Sequence, residues 1–464
     1  MSKNSSSSSD RPSIKIAYIG GGSRYWARDL MKDLALSGIF DGQISLFDLD
    51  YEAAQRNEEI AGHLFSRPEA KGKFKVKAVK RLADCLRNAD FVVLSIEPGP
   101  TEARYADLVI PEEYGVIQPV GDSTGPGGIL RGLRAVPVYA DYAAKIMEYC
   151  PKAWVINYTN PMTLCTRALY AVDPGIQAFG CCHEVFGTQW KLARLAREWF
   201  DRTDIQRQDI KVDVNGINHF TWVTEARWQG EDLLPRLQEH LSDPDQFKDR
   251  SAASKKRVKE KKYFGGEGLV AFDLFRRFDA LGAAGDRHLV EFVPWYARDL
   301  KTLHRWGVVC TPYEHRIGRA QKPDSAPDSY AQNEINPSGE EGVKQMAALL
   351  GLCDLDTNVN VPNRGQAPDL PMDAVVETNA AFRHQTLTPT TARTLPPAAN
   401  ALVQSVVAVQ EMTLEAALDR DLDRAFQALL CDPLVTLSPD KAEAMFVAMV
   451  AHIAPLLKEQ GYRV

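Results

Sequence analysis

Apolar residues in the N-terminal part of the chain fall in short runs separated by amphipathic stretches. Residues 14–19 read as a buried strand, a glycine turn follows at 20–22, and the spacing over 26–36 predicts a helix. The same alternation predicts strands over 43–47, 74–79 and 91–95, with helices over 51–65 and 82–88. The stretch 120–128 is too glycine-rich for a helix interior and predicts a loop. It precedes a long helix that contains Arg131, Arg134 and residues 139–149. A fifth strand at 154–157 and a sixth at 176–181 follow, the sixth leading to a helix over 188–199. Strands alternating with helices at these lengths predict a doubly wound, mostly parallel sheet.

Beyond residue 200 the period changes. Alternation over 210–214 and 220–227 predicts antiparallel strands, with His219 at the bend between them. Residues 254–262 are a mixed charge run on a solvated helix, and 272–278 form a helix with one apolar side. Small residues at 282–285 predict a loop that presents Asp286, Arg287 and His288. Two polar, proline-rich segments, 321–338 and 386–398, read as long loops, and 360–365 and 370–377 between them add sheet edges. Residues 399–457 are amphipathic helix. The expected architecture is α/β. A Rossmann-like doubly wound parallel sheet over 13–200 is followed over 201–464 by an α+β unit with antiparallel strands and C-terminal helices. Residues 1–12, Ser-rich and without an apolar core, read as a disordered tail rather than a signal peptide.

Composition narrows the classes. A formal net charge of −6 gives no basic face for nucleic acid and no polybasic membrane anchor. No apolar run approaches the roughly 18 residues of a membrane-spanning helix. Eight cysteines without regular spacing do not form a disulfide framework and fit a cytoplasmic enzyme with reduced thiols.

The candidate chemistry lies at strand ends. Gly20, Gly21, Gly22 and Ser23, between a strand and a helix N-terminus, form a site for a dinucleotide pyrophosphate. The third glycine of the usual fingerprint is replaced by Tyr25. Asp48, at the end of the second strand, is placed to hold ribose hydroxyls and favours NAD over NADP; Asp48 and Asp50 are also candidate helix caps. Ser95 and Glu97 end the fourth strand, where cofactor contacts collect. Asn160 sits at a strand-to-helix corner facing the same crevice, or caps the helix after it. The sixth strand delivers Cys182 and His183 to that edge. A thiolate and an imidazole from separated segments, Cys182 and His219, suit a divalent transition metal with open positions. The competing reading is a buried thiol and a core histidine.

These residues resemble glycoside hydrolase family four. The resemblance rests on the glycine turn, Asn160-Pro161, Cys182-His183-Glu184-Val185, Gly216-Ile217-Asn218-His219, and Asn360-Val361-Pro362-Asn363 with Leu370-Pro371. Cys-His-Glu-Val followed by Phe186-Gly187 is similar to the α-galacturonidase subgroup. The resemblance implies NAD and Mn2+ (or another divalent ion) as cofactors, with Cys182 and His219 as the metal ligands and Asn160 near substrate. It implies oxidation at C3 of the sugar, deprotonation at C2, elimination at C1, water addition and return of the hydride. Asp286 is the expected base, with Tyr263 in reserve. Asp122 and His183 are alternative acids that the sequence does not separate. A uronate carboxylate calls for arginine, and the candidates are Arg287, Arg131 and Arg24, with Glu184 an indirect contact. A homodimer or homotetramer acting on a small uronate oligosaccharide is expected. A family-four enzyme for α-glucuronide or α-galactoside, an NAD-dependent hydroxy-acid dehydrogenase and a non-enzymatic NAD-sensing protein are the competing readings.

Overall fold

A computed structural model describes residues 11–464; the predicted tail falls outside it up to residue 10. Arg11 is already tied down, donating from Nη1 to the Lys71 carbonyl at 2.7 Å. The first six strands are β1 (Ser13–Ile19), β2 (Asp41–Phe47), β3 (Phe74–Val79), β4 (Phe91–Leu94), β5 (Trp154–Asn157) and β6 (Ala178–Gly180). They pair in parallel in the order β3-β2-β1-β4-β5-β6. Their unbroken apolar runs have a direct cause: both faces are covered. Ile16, Tyr18, Leu46 and Val93 enter one core, while Ala17, Ile19, Val92 and Leu94 enter the other. The strand order reverses between β1 and β4, which opens a crevice at the carboxyl ends of the strands.

A second sheet is built from β7 (Lys211–Ile217), β8 (Phe220–Trp228), the short β9 (Glu231–Asp232) and β10 (Leu281–Gly282). The β7–β8 turn leaves His219 at φ +65°, left-handed backbone that tilts its side chain out of the hairpin ladder. Three late strands, β11 (Leu355–Pro362), β12 (Val375–Arg383) and β13 (Thr386–Pro389), return to the first sheet antiparallel. β11 pairs with β6 at Asn360 and Gly180. The large sheet therefore has nine strands and crosses the division expected at residue 200.

Several boundaries differ from the sequence expectation. The long helix starts inside the glycine stretch, at Gly125, and runs to Tyr149. Extended Thr124 and Pro126 in the first turn start it. Its glycines are needed for contact: a Cβ on Gly127 would lie 2.6 Å from the Asp107 carbonyl oxygen, on the helix Arg104–Glu113. The helix after β6 begins at Glu184 and runs to Trp199. Asp286, Arg287 and His288 are not in a loop but open the short helix Asp286–Phe292. Within the second proposed loop, β13 forms and a helix begins at Pro397. That helix, Pro397–Asp419, is long and apolar enough to cross a membrane by length and composition. Its apolar side, including Val403, Val406, Val407 and Leu414, is instead packed in the core.

Candidate active site

The glycine-turn end of the crevice is held by backbone. The Gly20 and Gly21 N–H groups both donate to the Phe47 carbonyl at 2.9 Å. Gly20 has φ +93°, and a Cβ there would sit 1.9 Å from the Ser95 carbonyl oxygen, so only glycine lets the turn close on the end of β4. Asp48 accepts from Gly22 N at 2.8 Å and from Asp50 N at 3.0 Å. Capping of the next helix falls to Asp50, which accepts from Ala53 N. Ser23 N closes the turn onto the Gly20 carbonyl, and Asn57 Nδ2 holds the carbonyls of Gly21 and Ser23. Ser95 is buried, its N–H spent on the Ile19 carbonyl.

Glu97 and Arg131 meet each other rather than an open space. Arg131 Nη1 donates to Glu97 Oε1 at 2.5 Å, its Nε donates to the Asn160 carbonyl at 3.0 Å, and Arg104 takes the second Glu97 oxygen. Desolvation opposes ionisation of Glu97, but Arg131 and Arg104 outweigh it and hold the carboxyl at about 2.

Next to this lies a cavity of about 530 Å³, lined by Asp122, Asn160, Cys182, His183, Glu184, His219 and the segment Gly285–His288 among others. A hydrogen-bonded chain organises it. Ser123 Oγ donates to Asp122 Oδ1 at 2.8 Å and lies 2.7 Å from His219 Nδ1. A hydroxyl has one proton, so with that proton on Asp122 the serine accepts from Nδ1–H, and His219 Nε2 carries the free lone pair. Burial, with His288 second, pushes the His219 pKa down to about 3, so the ring is neutral. The His288 ring lies 3.8 Å from it, centroid to centroid, tilted by 30°. Asp122 is held ionised: burial opposes this, and the neighbouring imidazoles and Arg131 outweigh it.

Ligand atoms of Asp122, His219 and His288 all lie within 4.8 Å of one another. The sequence pair Cys182 and His219 line the same cavity, but Cys182 lies outside this tighter group. Its thiol pKa is pushed well up by burial and then by Glu377 and Glu184. A thiol, two imidazoles and a carboxylate around one space are donors that suit a borderline divalent ion. Two buried polar atoms that line the cavity, His288 Nδ1 and Asn160 Oδ1, have no hydrogen-bond partner among the described residues. Such orphaned groups fit a site shaped for a ligand.

The remaining candidates are sorted by their contacts. His183 is exposed at the rim, with Nδ1 2.8 Å from Glu340 Oε1; that hydrogen bond raises its pKa. Glu184, in the first turn of its helix, accepts from Gly285 N at 2.6 Å. Asp286 lines the cavity, but its carboxylate accepts from the N–H groups of Gly268 and Ala271 at the start of the helix Leu269–Phe278. Burial raises its pKa. Arg287 Nη2 donates to the Pro119 carbonyl and to Thr311 Oγ1. Tyr263 is buried against the His315 ring and does not line the cavity. Arg24 donates to the Lys322 carbonyl, away from it. Sequence reasoning placed His288 beside Asp286 without giving it a role, and it missed Ser123, Glu340 and Arg316. His288 was visible as an imidazole after Asp-Arg. The other three are brought in by contacts distant in sequence.

The family 4 glycosyl hydrolase model matches residues 15–198, and the model of that family's C-terminal domain matches 214–435. The alpha-galacturonidase of Thermoanaerobacterium saccharolyticum is 46% identical over 446 residues, covering 94% of this chain and 95% of its own. That of Bacillus subtilis is 45% identical over 441 residues, covering 94% and 97%. The crystal structure of the Bacillus subtilis protein LplD, at 44% identity, superposes with a TM-score of 0.86 over 94% of this chain and all of that one. A 6-phospho-beta glucosidase from Thermotoga maritima, solved with manganese and NAD+, shares the fold at a TM-score of 0.75 and 21% identity. With both family models matched along most of its length, the chain belongs to glycosyl hydrolase family 4.

Proposed function

We propose that the protein is an NAD- and divalent-metal-dependent α-galacturonidase that releases galacturonate from small α-linked oligogalacturonates. The observation that carries this reading is identity near 45% to alpha-galacturonidases along nearly the whole chain. The turn at Gly20–Gly22, with Asp48 and the ends of β1 and β4, would hold NAD. Cys182, His219, Asp122 and His288 would hold the metal. Held there, NAD+ would supply a reversible hydride acceptor and the divalent ion would supply Lewis acidity, chemistry under which the protein's own groups could take a ring proton, release the leaving oxygen and admit water, with the hydride returned at the end.

The protein's own groups divide the remaining work. Ser123 fixes the His219 tautomer so that Nε2 faces its ligand as an acceptor. Asp122, held ionised, serves better as a ligand or base than as an acid. His183, whose proton Glu340 stabilises, is the better acid for the leaving oxygen. Asp286, buried and lining the cavity, remains the base, with its backbone contacts orienting it. Asn160 reaches toward substrate from the β5 corner while its Nδ2 lies 3.3 Å from Asp122. Arg287 meets the uronate, and Arg131, bound to Glu97, positions Asn160 through its carbonyl. Eight free cysteines fit a reducing compartment, the cytoplasm, and a dimer or tetramer is the expected assembly.

The test is hydrolysis of α-linked digalacturonate with NAD+ and Mn2+ each present or omitted under reducing conditions. Free galacturonate released only with both, without accumulating NADH, is expected. Stoichiometric NADH without bond cleavage would instead make the protein a dehydrogenase.

A further inference from the structure

The active-site cavity contains two guanidiniums that pair with no carboxylate among the described residues. Arg287 and Arg316 both line it. The other arginines that ring the crevice and its supports are paired: Arg131 with Glu97, Arg134 with Asp107, Arg28 with Asp324, and Arg207 with Glu341. Among the described residues Arg287 and Arg316 form no salt bridge within 4 Å, and the Nε of each is buried without a hydrogen-bond partner. They are fixed side by side from two different helices. Arg287 Nη2 donates to the Pro119 carbonyl at 2.8 Å, and Arg316 Nη2 donates to the next carbonyl, Val120, at 3.1 Å.

Two buried acids, Asp122 and Glu291, raise the pKa of both arginines without pairing with either, and Asp122 is already engaged by Ser123 and Asn160. Glu291 Oε1 is turned to the N–H groups of Val120 and Gly121, at 2.6 and 2.9 Å. Burial pushes its pKa to about 8, so at neutral pH it is largely uncharged. Arg316 itself is pushed down to about 10 by burial and then by the neighbouring Arg104, the signature of a cation without an adequate counter-charge. Lys191 also lines the cavity, but it already has the charge of Asp286 as a neighbour.

The segment that holds the arginines also leads to the metal-binding group. Val120 carries Arg316, and Asp122 two residues on is in the cluster with His219 and His288. Two residues span at most ~7 Å, on the scale of one sugar ring. A pyranose whose C2 and C3 hydroxyls face Asp122, His219 and His288 would turn its far end to the arginines.

We propose that Arg316, together with Arg287, forms the fork that binds the C6 carboxylate of the sugar and makes the site select uronides over neutral glycosides. This deepens the galacturonidase reading and rests on it. A guanidinium offers paired donors that match the two carboxylate oxygens, and an incoming carboxylate would satisfy the orphaned Nε atoms.

The experiment is calorimetric titration of galacturonate, and separately of its methyl ester, into protein holding NAD+ and Mn2+. Wild type binds the acid more tightly than the ester. Arg316→Gln weakens galacturonate by about 10- to 100-fold, the loss of a charge-assisted pair, and leaves the ester within about twofold. Arg316→Lys keeps the charge without the fork and falls between the two. NAD+ affinity, measured in parallel, is unchanged in both variants. Equal weakening of acid and ester, no change for the acid, or loss of NAD+ affinity overturns the assignment. The last outcome would give the arginines to the cofactor phosphates. Wild type that fails to cleave α-galacturonides, yet loses galacturonate binding on Arg316→Gln, would sink the galacturonidase reading and leave the carboxylate site standing.

Discussion

Arg134 and Arg316 are the same side chain in two opposite situations. Arg134 is wholly buried and closes a two-pronged pair on Asp107, Nη1 to Oδ1 at 2.8 Å and Nη2 to Oδ2 at 2.7 Å, with its Nε on the Pro98 carbonyl. Nothing is left for a ligand. Arg316 has one backbone acceptor and a buried, empty Nε. A buried guanidinium costs free energy until a carboxylate meets it. The first arginine has met that cost within the fold, while the second leaves it for the substrate to offset. What marks a binding group is thus the missing partner, rather than the charge itself.

The largest effect belongs to the closed pair. Asp107→Ala leaves Arg134 charged and buried, and should lower stability by about 3–5 kcal/mol in urea unfolding. A loss under about 1 kcal/mol would put this pair with ordinary surface bridges and dissolve the contrast. In the open region, Ser123→Ala removes the acceptor that sets the His219 tautomer. Mn2+ affinity, followed by isothermal titration, should fall by roughly 10- to 100-fold with little change in melting temperature. Unchanged affinity would mean that the ring needs no help from the serine.

Glu291 sharpens the comparison through pH. Its folded pKa, about 8, lies above the usual carboxylate value, so the folded state keeps a proton that the unfolded chain releases. The stability this contributes is full at acid pH and is lost as pH rises toward 8, with a slope of up to about 1.4 kcal/mol per pH unit. Glu291→Gln retains an acceptor for Val120 and Gly121 and should flatten that slope between pH 5 and pH 8, as measured by denaturant titration at each pH. Matching slopes in the two proteins would show that Glu291 ionises normally. The smallest effect is on the stability of Arg316→Gln, expected within about 0.5 kcal/mol of wild type because no internal pair is broken. A penalty as large as that of Asp107→Ala would place Arg316 among the structural arginines.

The parts of this molecule that were legible in the sequence are those governed by short-range rules. β1 with its glycine turn, the second helix starting after Asp50, and β5 follow from apolar runs, glycines and caps within a few residues. Cys182, His219, Asp122 and Asn160 were recognised as motifs, and the fold gathers them into one cavity. Misreadings arose where tertiary contact overruled local preference. Gly127 and Gly128 look like loop residues, yet they sit in a helix, where the neighbouring helix and the Ser123 backbone leave no room for a side chain. Asp286 looked like a free acid in a loop, and no local signal shows that Gly268 and Ala271 would occupy it. The pairing of Arg131 is also not visible in sequence, because its partner Glu97 lies on a different element. The unpaired state of Arg316 is the hardest to see, since it depends on Asp122 and Glu291, acids from two other segments, being turned to other partners.

The nine-stranded sheet also sets an order of events during translation. β6, which carries Cys182 at its end, reaches its place with the first half of the chain. Its outer neighbour arrives only with Asn360, 180 positions later. Until then one edge of the growing sheet has unpaired backbone groups, a surface on which other chains can add. A nascent or truncated chain ending near residue 200 would therefore be sticky and metal-poor, with Cys182 bare and His219 not yet made. The last residue of the proposed metal group, His288, is made well before β11 begins at Leu355, so that group is complete in sequence while the sheet edge is still open.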